Sequence, residues 1–115
     1  TMSYSFGDVV LVGFPFTNLQ AAKRRPAAII HSHAYQDRPD VILIAVTSQV
    51  RQSPAAGEAL LQDWQVAGLA KPSVFKPLIA TLEKDQVVKR LGQLSAGDRE
   101  RLTGVLNDIL GVETS

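Results

Sequence analysis

The side chains best suited to chemistry in this 115-residue chain are cations, hydroxyls and amides rather than acid pairs or thiols. Three cations stand together in Lys23-Arg24-Arg25, immediately before Pro26. Thr47-Ser48-Gln49 follows an apolar run, and Thr17, Lys76 and Thr81 fall at the ends of other such runs. A guanidinium donates in a planar fork, while Ser and Thr hydroxyls both donate and accept, so this set suits phosphate oxygens and base edges. The same residues equally suit the unpaired backbone groups at strand ends. Phe16 either stacks on a base or plugs the core.

Other chemistries lack their residues. There is no cysteine, which removes disulfides, thiolate metal sites and a cysteine nucleophile and fits a reducing, cytoplasmic setting. No Gly-rich phosphate loop, His-Glu-x-x-His motif, nucleophile elbow or conspicuous carboxylate pair occurs. His31 and His33 are expected on one face at the end of the second strand. As a metal pair they want a third ligand nearby, so no metal is expected; as acid–base groups they stay open. The net charge of +1 excludes a blanket polycation, yet Lys23, Arg24, Arg25, Lys71 and Lys76 either form a local positive patch or are solvated separately.

The elements that must position these residues are short strands. A chain of this length, 45% apolar and 20% charged, reads as one folded domain over residues 1–115. No apolar stretch approaches the roughly 20 residues of a membrane helix and no leader is expected before the first strand, so no membrane association is expected. Val9–Phe14 and Val41–Val46 are continuous β-branched runs, the signature of strands buried on both faces. Pro15 ends the first, and Pro26 is expected to open a second strand running to Ser32, which holds Arg25 extended at a hairpin mouth. Glu58–Gln62 reads as a short strand, and Asp63–Gly68 as one helical turn capped by Asp63 and stopped by Gly68. Pro72–Leu82 is a strand pair or one strand bent at Pro77, and Val87–Leu91 is a last short strand. Ser95 with Asp98 in the reciprocal position forms a capping box for a helix whose face is Leu102, Val105, Leu106, Ile109 and Leu110, ended by Gly111.

Read in order, these blocks carry a family likeness. Gly7-Asp8-Val9-Val10-Leu11-Val12 with Phe14-Pro15-Phe16-Thr17, then Lys23-Arg24-Arg25-Pro26-Ala27 and Ile44-Ala45-Val46-Thr47-Ser48-Gln49, closely resemble the MazF/PemK toxins of bacterial toxin–antitoxin systems. Trp64-Gln65-Val66-Ala67-Gly68-Leu69, Pro72-Ser73-Val74, Ala80-Thr81-Leu82 and Leu91-Gly92-Gln93-Leu94-Ser95 extend the resemblance from Tyr4 to Gly111.

The resemblance implies a mainly β (α+β) fold, an SH3-like small β-barrel with a C-terminal α-helix packed on it, assembled as a homodimer. It implies a cytoplasmic, metal-independent endoribonuclease, an mRNA interferase without cofactor. Such an enzyme cuts single-stranded RNA to 2′,3′-cyclic phosphate and 5′-hydroxyl ends, arrests translation and is neutralised by a cognate antitoxin. Arg25 matches the family's catalytic arginine and Thr47 its catalytic threonine. Metal-free cleavage must stabilise charge on the phosphorane, the role of Arg25, while Thr47 orients the phosphate or relays a proton. RNA binding falls to Phe16, Thr17, Lys23, Arg24, Ser48, Gln49, Lys76 and Thr81, with Lys76 also where some members carry a further basic residue. Some members use a histidine in the first loop; none lies between Phe14 and Arg25, which leaves His31 or His33 as substitutes. Two alternatives share the fold. One is a gyrase-poisoning toxin of the CcdB type, whose C-terminal Trp-Gly-Ile signature has no counterpart here, the single tryptophan being Trp64. The other is a non-catalytic SH3-like interaction module.

Overall fold

A computed structural model of the chain describes residues 3–13, 24–50 and 55–111. Its six strands are β1 (Asp8–Gly13), β2 (Arg24–Ile29), β3 (Asp40–Thr47), β4 (Ala59–Leu60), β5 (Val74–Glu83) and β6 (Val87–Gln93), followed by one helix, α1 (Ala96–Ile109). They form a single antiparallel sheet in the order β4-β5-β3-β2-β1-β6.

The unbroken apolar runs in β1 and β3 are explained by burial on both faces. Val10, Val12, Ala27, Ile29, Val41, Leu43, Ala80 and Leu82 gather on one side with Tyr4, in a cluster drawn from strands and the N-terminal segment alone, so the sheet curls over it. This open, strongly curved sheet fits the small barrel-like architecture anticipated. The alternate residues, Val9, Ala28, Ile44, Val46 and Phe75, pack on the other side against Leu102 and Val105 of α1. Full burial of Ile29, Leu43, Ile44 and Phe75 contributes about 1.5–3 kcal/mol for each side chain.

Three local expectations change, and the choice left open for β5 is settled. β2 begins at Arg24 rather than Pro26, because the ladder with β1 continues through Val12 opposite Arg25 to Gly13 opposite Arg24. It ends at Ile29, so His31 lies past the strand, while His33 sits exposed in a 3-10 turn (His33–Tyr35); the two do not share a strand face. β5 is one strand bent near Pro77: between the Ile44–Ile79 and Val46–Phe75 pairs, β3 advances two residues and β5 four. The surplus places Pro77, which has no N–H to give a ladder, at the irregularity. Finally, Ser95 Oγ caps α1 by accepting from Asp98 N–H at 3.2 Å, but the Asp98 carboxylate does not complete a capping box. It is fully buried and accepts from the backbone N–H groups of Gln62 at 2.9 Å and Asp63 at 2.8 Å, and from Arg101 at 2.9 Å.

Candidate nucleic-acid cleft

Antiparallel pairing sets the start of β2, the end of β3 and the start of β5 at one end of the sheet. The β2–β3 ladder ends where Ala27 opposes Ala45, and Arg25 and Thr47 lie two residues beyond that pair on their respective strands, lining one cleft. On the other side of β3, Thr47 opposes Val74. These strand ends surround a cleft of about 280 Å³. One wall is Arg24, Arg25 and Pro26, the floor is Val46 to Gln49, and the facing wall is Leu69, Ala70, Lys71 and Ser73.

Among the described residues, three cations and no carboxylate line this space. Among the described residues, Arg38, Arg90 and Arg101 form ion pairs with carboxylates, whereas Arg24 and Arg25 do not. Arg25 is half-buried, and its Nε is buried without a hydrogen-bond partner among the described residues. A buried donor left unmade costs free energy until a ligand accepts from it. Thr47 Oγ1 accepts from Gln49 N–H at 3.2 Å, which engages a lone pair and leaves the hydroxyl proton to donate outward. Uncompensated positive charge beside outward-facing donors is the electrostatic complement of a phosphodiester.

Of the residues read from sequence, Arg24, Arg25, Thr47, Ser48 and Gln49 therefore come together. Lys76 and Thr81 do not line the cleft. Lys76 sits in the irregular part of β5, and Thr81 opposes Ile42, five residues along β3 from Thr47, or roughly 17 Å. Phe16, Thr17 and Lys23 lie outside the described residues. His31 and His33 belong to the opposite end of β2: six residues separate Arg25 from His31, about 20 Å of extended chain. The His31 ring is buried against Tyr35, with centroids 5.1 Å apart, and neither histidine reaches the cleft. Among the described residues no three His, Asp or Glu side chains cluster as metal ligands.

A family model described as PemK-like, MazF-like toxin of type II toxin–antitoxin system matches residues 5–110. The chain belongs to the PemK/MazF toxin family. Solved structures give the same fold at low identity. An endoribonuclease in complex with its cognate antitoxin from a mycobacterial species is 18% identical, with a TM-score of 0.80 over 98% of this chain and 100% of that one. The Mycobacterium tuberculosis toxin MazF-mt6 is 20% identical, with a TM-score of 0.74 over 93% and 99%. MazF of a MazE–MazF complex from Deinococcus radiodurans is 22% identical, with a TM-score of 0.76 over 97% and 100%. No curated protein matches the sequence. Membership of the PemK/MazF family disfavours both a CcdB-type gyrase poison and a non-catalytic module.

Lys71, with Ser73 behind it, is the residue of this PemK/MazF cleft that site assignment from sequence missed. The sequence showed its charge beside a strand, but not the loop geometry that turns residues 69–71 back toward Arg25.

Proposed function

We propose that this cleft is the active site of a metal-independent endoribonuclease that cuts single-stranded RNA, in a toxin held in check by a cognate antitoxin. The carrying observation is the set of three cations and donor hydroxyls, without a carboxylate among the described residues, around the β2–β3–β5 strand ends. In this reading the RNA 2′-oxygen attacks phosphorus, the bond from phosphorus to the 5′-oxygen breaks, and a 2′,3′-cyclic phosphate and a 5′-hydroxyl result. Arg25 donates to the equatorial oxygens as charge builds on them, and Thr47 donates its remaining proton to a phosphate oxygen. Among the described residues neither carboxylate nor imidazole lines the cleft, and none occurs between Phe14 and Lys23. In this reading the 2′-proton leaves to water, a proton from water reaches the departing 5′-oxygen, and the protein's contribution is electrostatic and geometric.

Ser48, Gln49 and Arg24 hold flanking nucleotides, and Phe16, Thr17 and Lys23 of the preceding segment add to that hold. Lys76 and Thr81, away from the cleft, serve at most a longer RNA track. Homodimeric assembly in the cytoplasm belongs to the same reading, supported by the family match. The antitoxin is supported by the complexes in which similar folds were solved. The test is cleavage of a long single-stranded RNA by the purified protein in EDTA, with the ends mapped. Cyclic phosphate and 5′-hydroxyl termini at a short recurrent sequence are expected; cutting that needs added divalent metal would refute the mechanism.

A further inference from the structure

Taking the cleft as an RNA-cleaving site, we propose that Lys71 is its third phosphate contact and that Asp98, on α1, is the positioning residue that sets it there. Lys71 lies three residues before β5 in a loop that leaves the sheet after β4, and this loop is clamped at its base by Leu61 N–H donating to Ser73 O at 2.9 Å. Just inside the clamp, the two carboxylate oxygens of Asp98 take the consecutive N–H groups of Gln62 and Asp63 at 2.9 and 2.8 Å.

From that anchored pair the chain makes one tight turn, with Ala67 N–H on Asp63 O at 3.2 Å and Leu69 N–H on Trp64 O at 3.1 Å. The turn closes at Gly68, whose φ of +82° and contact with β6 admit no side chain: a Cβ would stand 2.0 Å from Leu91 O. Leu69, Ala70 and Lys71 then emerge facing Arg25, and the Ser73 hydroxyl donates to Lys71 O at 2.8 Å.

A loop fixed at both ends delivers Lys71 to one place. Two strand columns, each about 4.8 Å wide, separate the Arg25 wall from the start of β5, a span of roughly 10 Å. Lys71 therefore meets a phosphate beside the scissile one, holding substrate without entering the chemistry. Asp98 is suited to the anchoring task because Arg101 neutralises its carboxylate at 2.9 Å and every other bond that carboxylate makes is to backbone. Its removal from water is thus compensated, and the direction of the loop is what its ligands fix.

The experiment measures binding of a fluorescent single-stranded RNA carrying the mapped cut sequence, with 2′-O-methyl at the cut position to block cleavage, and in parallel kcat on the unmodified RNA. Lys71→Gln is expected to weaken binding about fivefold, the size of an exposed ion pair, and to flatten the plot of log affinity against log salt by about 0.7. Asp98→Asn turns one acceptor into a donor facing an N–H, and Ser73→Ala frees the Lys71 carbonyl. Each should weaken binding by a similar factor, leave kcat at saturating RNA within twofold, and add nothing in a Lys71→Gln background.

Unchanged affinity and salt slope in Lys71→Gln, with the parent protein cutting normally, would overturn the inference and leave the proposed function standing. Effects of Asp98→Asn or Ser73→Ala that multiply with Lys71→Gln would overturn the positioning role. If Asp98→Asn does not fold, Arg101→Gln, which removes the charge partner of the Asp98 carboxylate, takes its place in the same comparison with Lys71→Gln, and additive effects overturn the positioning role. A parent protein that neither binds nor cuts RNA would overturn both the function and this inference.

Discussion

Replacing Arg25 by alanine separates catalysis from stability more sharply than any other change. The loss of one preorganised donor aimed at developing oxyanion charge lowers kcat roughly 10²–10³-fold, or about 2.7–4 kcal/mol of transition-state stabilisation. The fold should scarcely notice. Arg25 makes no ion pair among the described residues and its Nε is buried unsatisfied, a penalty of about 1–3 kcal/mol that the substitution removes. Against this stands the packing of the half-buried stem: two methylenes at about 0.8 kcal/mol each when fully buried, so about 1 kcal/mol here. The two effects oppose each other, and the melting temperature should stay within about 5 °C of the parent or rise. The assay is single-turnover cleavage of end-labelled RNA in EDTA beside a thermal melt. A folded Arg25→Ala protein cutting within tenfold of the parent would refute the assignment of charge stabilisation to this residue. A loss of activity matched by a large fall in melting temperature would show that Arg25 supports the fold instead.

Three further outcomes follow from the same contacts. Thr47→Val keeps the shape of the side chain and removes both the acceptor for Gln49 N–H and the donated proton; cleavage should fall by about tenfold or more in the same RNA assay, with stability lowered by only about 1 kcal/mol. Asp8 is buried and accepts from Ser5 N–H at 3.0 Å, Gln93 at 3.0 Å and Arg90 at 3.2 Å, so Asp8→Ala should cost roughly 2–3 kcal/mol in urea unfolding, far from the cleft. Gly68→Ala forces a side chain into a left-handed conformation against Leu91 O; destabilisation above about 2 kcal/mol is expected from denaturant titration, and a neutral result would show that the turn relaxes freely.

Sequence patterns revealed the elements whose signal is local. α1 was legible because Leu102 and Val105 recur on one helical face and Ser95 caps it, and β1 and β3 because burial on both faces leaves unbroken apolar runs. The start of β2 was obscured by Pro26, which reads as a strand opening, whereas pairing with β1 extends the strand to Arg24. Asp98 was legible as a residue of the first helical turn but not in its role. Its partners are 35 and 36 residues away, and no local pattern encodes them. The proposed site divides in the same way. Arg25 and Thr47 were picked out by family resemblance, and the register of β2 on β3 supplies the physical reason they meet. Lys71 reaches the cleft through a turn closed by a positive-φ glycine, and Lys76 is carried off by the irregularity at Pro77, both consequences of contacts that a linear reading does not contain.

The near-zero net charge is a poor guide to how this molecule meets a polyanion. Its +1 conceals a separation along β3. At the Thr47 end stand Arg24, Arg25 and Lys71, without a carboxylate among the described residues. At the Asp40 end a groove of about 600 Å³ gathers Asp37, Asp40, Glu83 and Asp85. The two cations there, Arg38 and Lys84, are already engaged, with Asp40 at 3.6 Å and Gln36 O at 2.7 Å respectively. Seven strand steps separate the ends, about 23 Å, which is well beyond the roughly 8 Å screening length of physiological salt. The acidic end therefore does little to cancel the field at the cleft, while it repels a strand that approaches the wrong way round. The cations at the cleft act on RNA with their local charge, and the sheet that brings Arg25 and Thr47 to one cleft also sets the direction from which a polyanion can approach.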